Sequence, residues 1–497
     1  MRLGQLLEGV AIAGVDGGTL DVEIAEVRDD SRAIKPGDLF VATRGQTVDG
    51  HAYLDAAARS GAVAAVVADD ATEAFAGVRV RVAATAPALG LIAANRYGRP
   101  GDALTLIGVT GTNGKTTSTF LCEGLIRAGG GVPGVLGTVT YRWPGVTREA
   151  PFTTPTALVL HATLAEMRAA GVTHVAMEVS SHALALDRVA GLTFTVAAFT
   201  NLTQDHLDFH GTMEAYRDAK AQLFASYLRP DGAGVVLIDR DYGLDILASV
   251  RGRAISVSAA GQSADVRVVK AEQSVDGIVA EVMTPRGPLV LRSSLIGGFN
   301  VENLALAVGI GVALELSPEQ IAAGLASVHG VPGRLERVVN DRGFGVFVDY
   351  AHTPDALERA MKALRPLTRG RLIVVFGCGG DRDKTKRPKM GAAVARDADL
   401  AIVTSDNPRT EDPAAIVAMI VEGVKSVIAS GFVVEVERRR AIERAVTEAR
   451  PGDVVLIAGK GHEDYQIIGK VKQHFDDREE AAAALAKLAK RAPSGQS

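Results

Sequence analysis

Apolar residues along this chain fall into two rhythms. Short unbroken runs of aliphatic, β-branched residues alternate with longer stretches whose apolar positions recur every three or four residues. The first rhythm suits strands buried on both faces, the second amphipathic helices. DLFVATRG and AVAAVVADD are strand-like, and HAYLDAAARSG between them has helical spacing. NRYGRPGD, Asn95 to Asp102, interrupts with Gly and Pro and predicts a linker. ALTLIGVTG then predicts a strand that enters a glycine-rich turn and the helix TTSTFLCEGLIRAGG. THVAMEVSS, FTVAAFTNL and GAGVVLID follow as strands, and residues 263–295 alternate with period two around a PRGPL turn. Helical spacing returns in NVENLALAVGIGVAL and SPEQIAAGLASV, and a second boundary is expected just after VPGRLERV, near Val339. GVFVDYAH, RLIVVFGCGG, LAIVTSDNP and DVVLIAGKG repeat the strand–loop–helix rhythm. The expectation is an α/β protein with domains at 1–101, 102–338 and 339–497, the last ending in a disordered tail from Ala492.

Composition narrows this picture. In 497 residues the formal charge is -4 without a basic stripe, which argues against a nucleic-acid partner. The run Arg438 to Arg440 reads as a solvated helix face, and DKTKRPK, around Lys384 to Lys389, is the other basic run. The two cysteines, Cys122 and Cys378, are far apart, which fits a reducing cytosol better than a disulfide scaffold; Cys122 reads as core. The first residues lack the apolar stretch and cleavage site of a signal peptide. No apolar run reaches the ~18 residues of a membrane span. A cytoplasmic location is expected.

Candidate chemistry concentrates where strands end, the place at which open α/β sheets bind ligands. In GVTGTNGKTTS, Gly111 and Gly114 free the backbone to wrap phosphate oxygens at a helix N-terminus. Lys115 is placed to reach β- and γ-phosphates and the Thr116 hydroxyl to bind Mg²⁺. Val109 occupies the position of the first glycine in the strict pattern. MEVSSH supplies Glu178 and His182 at the end of one strand; TNLTQDHLDFH supplies Asp205, His206, Asp208 and His210 at the end of the next. Beside a phosphate loop, Glu178 and His206 are the candidate Mg²⁺ ligands.

These motifs, with EAYRDAKAQLF, GGFNVENLALA, VPGRLE, VDYAHTPDAL, GCGGDRDKTKRPKMG, SDNPRTEDP and GKGHEDYQ in this order, resemble the Mur ligase family over nearly the whole chain. The resemblance implies a UDP-sugar-binding N-terminal domain, a central P-loop ATPase-like domain with a parallel sheet, and a C-terminal Rossmann-like domain that binds the amino acid. It implies ATP-dependent amide formation in peptidoglycan synthesis, with Mg²⁺. The ATP site would comprise Gly111, Thr112, Asn113, Gly114, Lys115, Thr116 and Thr117, with Asn303, Arg334, Asp349 and His352. Lys220 matches a lysine carbamylated in these ligases. As a carbamate it would join Thr116, Glu178 and His206 as metal ligands and, with Lys115, Glu178 and His206, serve catalysis. Ser31, Gln46, Thr47, Val48, Thr153, Thr154, Ser180 and Arg188 match positions that grip a UDP-muramoyl dipeptide. Phe152 and Leu186 depart from the Asn and Gln of some relatives.

Arg382, Asp406, Asn407, Pro408, Arg409, Gly459 and Glu463 match a meso-diaminopimelate site. That amino acid carries an amine and a carboxylate at each end, so an Arg fork and an acidic side chain suit it. The DNPR form favours diaminopimelate over lysine. The alternatives are a lysine-adding or folylpolyglutamate-synthetase-like ligase of the same architecture, or a nucleotide-driven switch without amino-acid chemistry. The expected partners are small-molecule substrates only, and the expected state is a monomer.

Overall fold

A computed structural model describes residues 1–45 and 48–491, so Gln46, Thr47 and the tail expected from Ala492 lie outside the described residues. The chain divides into two compact units: Met1–Val268 with Val282–Leu289 and Glu302–Leu325, and Val269–Glu281 and Val290–Val301 with the chain from Ala326 on.

The first unit begins with a five-stranded sheet in the order Ile12–Asp16, Val78–Val82, Ala64–Ala68, Leu39–Val41, Val27–Arg28. All neighbours are parallel except Ile12–Asp16, at the edge. Ala64–Ala68 is buried at every position, as an unbroken apolar run requires of a central strand. The Gly/Pro segment after it is built structure: Asn95 and Arg96 end the helix Thr85–Arg96, and Pro100–Ala103 forms a 3₁₀ turn. The buried Asn95 amide donates to the carbonyls of Leu6 and Glu8.

The larger sheet of this unit is centred on Thr105–Thr110, with His174–Glu178 and Phe194–Phe199 parallel on its two sides. Pro133–Leu136 lies beyond the first, and Leu228–Leu237 and Arg253–Ser258 beyond the second. The hairpin Thr140–Trp143 and Val146–Glu149 closes one edge. Register sets Glu178 opposite Val109 and Phe199 opposite Thr110. Three carboxyl ends, and the loops leaving them, therefore meet at one rim.

The second unit holds a sheet in the order Glu336–Arg337, Gly345–Asp349, Val454–Ala458, Leu372–Phe376, Leu400–Val403, Phe432–Val434. Only Glu336–Arg337 is antiparallel; it pairs with Gly345–Asp349 and so joins this sheet from just before residue 338. Pro354–Leu364, Lys386–Asp397 and Pro413–Lys425 cover one face, and Arg438–Glu448 and Asp477–Arg491 the other. Crossovers on both faces follow from the right-handed rule for parallel strands.

The basic run at 438–440 is not uniformly solvated. Arg439 and Arg440 are exposed, but Arg438 is fully buried in an ion pair with Asp477. The physical reason is helical spacing: Arg438 shares a face with Ala441, Ile442, Ala445 and Val446, all buried. Cys122 is core, as expected. No helix among the described residues is long and apolar enough to cross a membrane.

Candidate functional site

The phosphate loop joins Thr105–Thr110 to the helix Lys115–Ala128. Gly111 has φ +144°, and a Cβ there would fall 1.9 Å from Thr200 Oγ1, so only glycine lets the loop approach the next strand end. Val109, at the position of the first glycine in the strict pattern, is a buried strand residue. Gly114 caps the helix with φ +88°, and a Cβ would strike the Asn303 Oδ1 at 2.4 Å. Asn303 therefore lies against the phosphate loop itself.

The loop is anchored from the strand that ends at Phe199. Thr112 N donates to Asn201 O (2.8 Å), Asn113 N to Asn201 Oδ1 (3.1 Å), and Thr200 Oγ1 to Asn113 O (2.6 Å). The Thr112 hydroxyl contacts the Tyr216 hydroxyl and Thr203 O. Thr116 and Thr117 are buried in the first helical turn, whose N–H groups point along the axis toward the loop. A helix N-terminus beside a lysine can receive an anion.

Lys115 Nζ donates to Gly111 O (2.9 Å) and Thr112 O (2.8 Å). Lys220, on the helix Met213–Ala225, is only 1% exposed, and its Nζ also donates to Gly111 O at 2.9 Å. Burial and the Lys115 charge push the Lys220 ammonium well below the usual lysine range, opposed by Asp205. Its nitrogen lies 4.4 Å from the centre of the Tyr216 ring.

Glu178, also 1% exposed, uses both oxygens on Thr138: Oε1 accepts from the backbone N (2.9 Å), Oε2 from the hydroxyl (3.0 Å). His206 is roughly half exposed, has φ +51°, and lies 3.5 Å from the Asp205 carboxylate. Its ring packs edge-on against His182 at 4.8 Å. His210 donates or accepts at Ser181 Oγ (3.0 Å) and is pushed down to about 4, by burial first and then by His182. No hydrogen bond joins Glu178 to His206, and among the described residues no three His, Cys, Asp or Glu side chains cluster as metal ligands.

The residues matched to the UDP-sugar fall into two groups. Thr153 Oγ1 contacts Thr138 Oγ1 (3.1 Å), Thr154 Oγ1 bridges Glu178 O (2.8 Å) and Ser180 N (3.0 Å), and Arg188 donates to Thr154 O (3.3 Å). Ser180 caps the helix Ser181–Ala185 by accepting from Ala183 N. Thr153 thus reaches the Glu178 carboxylate through Thr138, a residue that sequence patterns did not single out, while Thr154 links the Glu178 backbone to Ser180 and Arg188. Phe152 has an exposed ring beneath the Arg188 guanidinium, 5.4 Å from its centre, so the departure from Asn supplies a cation–π platform. Leu186 is the C-cap of that short helix. Ser31 opens the 3₁₀ turn Ser31–Ala33 and Val48 is exposed; no hydrogen bond ties either to the Thr153–Arg188 group among the described residues.

The second unit assembles its residues at the carboxyl ends of its sheet. Asp349 Oδ2 accepts from Leu335 N and Oδ1 from Ala351 N, both at 2.8 Å, while burial pushes the carboxyl upward against the Arg334 guanidinium. Arg334 stacks 5.5 Å from the Tyr350 ring centre. His352 Nδ1 is 2.7 Å from Tyr350 O, and Lys386 Nζ donates to His352 O.

Asp406, Asn407 and Pro408 are buried beside Glu463 and Lys460, a lysine of GKGHEDYQ to which the resemblance assigns no role. Asn407 Nδ2 donates to Glu463 Oε2 (2.9 Å), and a Cβ on Gly459 (φ +123°) would fall 2.6 Å from Asp406 Oδ2. Arg409 takes a left-handed φ of +52°, fixed by Arg409 N on Ile467 O and Gly469 N on Arg409 O; its Nη1 donates to Gly380 O at 2.8 Å. Arg382 is exposed, and its Cγ and Arg409 Nη1 both border Gly379. An Arg fork and a Glu carboxylate on one rim can receive the two charges of an amino-acid terminus.

Comparison with known proteins accords with this arrangement. The Mur ligase family catalytic domain matches residues 23–97, the Mur ligase middle domain residues 109–311, and the Mur ligase glutamate ligase domain residues 333–461. A UDP-N-acetylmuramoyl-L-alanyl-D-glutamate--2,6-diaminopimelate ligase from Geobacter metallireducens is 46% identical over 95% of this chain and 96% of its own. One of the same name from Gloeobacter violaceus is 48% identical over 98% of each. A solved structure of a ligase with that name superposes with TM-score 0.73 at 31% identity, covering 98% of this chain and 99% of its own. The MurF ligase from Thermotoga maritima in complex with ADP (TM-score 0.58, covering 95% and 100%) is 20% identical, a likeness of fold. Identity this high across the full length, with all three domains matched in order, makes the chain a member of the Mur ligase family.

Proposed function

We propose that the chain is an ATP-dependent ligase that joins meso-diaminopimelate to UDP-N-acetylmuramoyl-L-alanyl-D-glutamate in peptidoglycan synthesis. The observation that carries this reading is the meeting of Arg409, Asn407 and Glu463 on one rim of the second unit's sheet, in a chain whose near-full-length relatives bear that name. Lysine would present no distal carboxylate to Arg409.

The reaction follows from the phosphate loop. The D-glutamate γ-carboxylate attacks the γ-phosphorus of ATP in line, ADP leaves, and an acyl phosphate forms. The free amine of diaminopimelate attacks its carbonyl; phosphate departs, the amine loses a proton, and an amide remains. Lys115 and the helix N-terminus hold the phosphoryl oxygens, so positioning and fixed charge supply most of the acceleration. Asn303, Arg334, Asp349 and His352 are proposed to hold the rest of the nucleotide. Ser31, Val48, Thr153, Thr154, Ser180 and Arg188 are proposed to hold the nucleotide-sugar, with Gln46 and Thr47 from outside the described residues.

Mg²⁺ suits the residues at this rim once Lys220 is counted as a carboxylate. A buried lysine held beside a second ammonium is biased toward the neutral amine, the form that adds carbon dioxide to give a carbamate. Thr116, Glu178, His206 and the carbamate of Lys220 would then hold the ion. Bound there, Mg²⁺ would offset charge on the phosphates. Soluble substrates of this kind point to the cytoplasm. The sheets support domains at 1–101, 102–338 and 339–497, the last recruiting Glu336–Arg337.

The test is phosphate release with ATP, the UDP-muramoyl dipeptide and a panel of amino acids. Release should need all three substrates and favour diaminopimelate. Release indifferent to the dipeptide and the amino acid would support a nucleotide switch and overturn the reading.

A further inference from the structure

Lys460 is a wholly buried cation that the reaction above leaves without a task. Its side chain has 0% exposure, and it lies in the loop between Val454–Ala458 and Tyr465–Ile468. Its Nζ is 3.3 Å from Asn407 Oδ1, 3.4 Å from Glu463 Oε2 and 3.7 Å from Asp406 Oδ1. It also sits 5.4 Å from the centre of the Tyr465 ring. A buried lysine keeps its charge only where that charge is met, and here both acidic partners are themselves matched to the amino-acid site.

The geometry around Glu463 is one-sided. Asn407 Nδ2 and Lys460 Nζ both approach Oε2. Among the described residues, Oε1 takes no protein hydrogen bond. The Asn407 amide is held in turn: Ile467 N donates to its Oδ1 at 3.0 Å, and Lys460 shares that oxygen. Beneath them Arg438 ties the two loops together through the carbonyls of Ser405 and Ala458. A carboxylate on a short side chain could otherwise turn about its last bond. Two donors on one oxygen fix that rotation and leave the second oxygen facing away from them.

We propose that Lys460 is a positioning residue for amino-acid binding: it clamps Oε2 of Glu463 and the Asn407 amide so that Oε1 is presented to an ammonium group of the incoming amino acid. The proposal rests on the function proposed above and deepens it at the same site. Lys460 meets the charges of Asp406, which is buried, and of Glu463, which is partly exposed, and does not itself reach the substrate. Without it the Glu463 carboxylate is held by the Asn407 amide alone, and the cation beside both the Asp406 and Glu463 carboxylates is lost. Ammonium binding then weakens, while the chemistry at the phosphate loop, in the other unit, is untouched.

The experiment is a double-mutant cycle on the full chain, with Lys460→Met, Glu463→Gln and the pair, after wild-type turnover with diaminopimelate has been established. Should the wild type show none, the function reading fails by itself, before any variant is made. Lys460→Met should raise KM for diaminopimelate by about 10- to 100-fold, the weight of a charged hydrogen bond. It should change kcat by less than about threefold, with KM for ATP and for the nucleotide-sugar unchanged. In the Glu463→Gln background the same substitution should add little, because the carboxylate it orients is gone. Lys460→Gln, which keeps an uncharged donor one bond nearer the backbone, is the second variant and should restore part of the lost affinity; it carries the test should Lys460→Met not fold. Fully additive effects, or an equal rise in KM for all three substrates, would overturn the proposal and make Lys460 a general support of the fold.

Discussion

Lys115 and Lys220 donate to the same oxygen, the carbonyl of Gly111, each from 2.9 Å. Two ammonium groups on one acceptor repel, and Lys220, the more buried of the two, is the one driven toward the neutral amine. Lys220→Ala should abolish nearly all ligation, and a short carboxylic acid in the buffer should restore part of it by standing in for the carbamate. Thorough removal of carbon dioxide should lower wild-type turnover, and bicarbonate should return it. Undiminished activity from Lys220→Ala without additives would exclude the carbamate.

Arg409 should decide between diaminopimelate and lysine. Its left-handed backbone is held by Ile467 and Gly469, and its guanidinium is held by the Gly380 carbonyl. Removing the fork costs about 2–5 kcal/mol, or roughly 30- to 5000-fold in kcat/KM for diaminopimelate. The poor rate with lysine should change far less. Arg409→Asn separates side chain from backbone, because Asn tolerates this φ better than Ala does. Arg409→Asn and Arg409→Ala should therefore show the same loss of discrimination, with Arg409→Asn the more stable protein. Equal losses for both amino acids would reduce Arg409 to a structural role.

The phosphate loop was legible because its geometry needs glycine: Gly111 and Gly114 stand where a Cβ would collide with Thr200 and Asn303. The buried strands were legible for a similar reason, since an unbroken run such as LIVVF has no polar face to show to water. Local patterns carry less where a side chain meets a partner far along the chain. Arg438 meets Asp477, 39 residues on, and Thr138 meets Glu178, 40 residues on. For Lys220 a local trace exists. Tyr216, Lys220 and Phe224 recur at helical spacing, and all three are buried, so Lys220 sits on the apolar face of its helix. Which oxygen of Glu463 stays open depends on Asn407 and Lys460 together, and local periodicity carries no signal for that.

His161 should make the first unit acid-sensitive. It is fully buried in the helix Ala157–Ala169; Nε2 donates to Ala190 O at 3.0 Å, and Nδ1 has no partner among the described residues. Burial pushes it down to about 4 from an ordinary 6.5. Between those values the unfolded chain binds the proton and the folded one does not, so stability falls as pH drops from about 6.5 to 4, by up to about 3 kcal/mol. Urea unfolding of wild type and His161→Gln at pH 7 and pH 5 checks this. The variant should lose less stability than the wild type over that interval, and parallel losses would assign the acid sensitivity to other groups.

The Arg438–Asp477 pair should be costly to break singly and cheap to remove whole. Nε and Nη2 of Arg438 reach the two Asp477 oxygens at 2.7 and 2.6 Å, with no exposure on either side chain. Arg438→Met leaves Asp477 as an unpaired buried carboxylate at the start of its helix, at a cost of about 3–5 kcal/mol. Adding Asp477→Asn removes the stranded charge at nearly the same side-chain volume and should return much of that loss. The Ser405 and Ala458 carbonyls that Arg438 also holds stay unmet in both variants, so recovery should be incomplete. Thermal or denaturant unfolding of the three proteins, followed by a probe of the second unit, gives the coupling between the residues. Additive losses would mean that the two charges do not act as a pair and that the stability of this unit rests on its apolar layers alone.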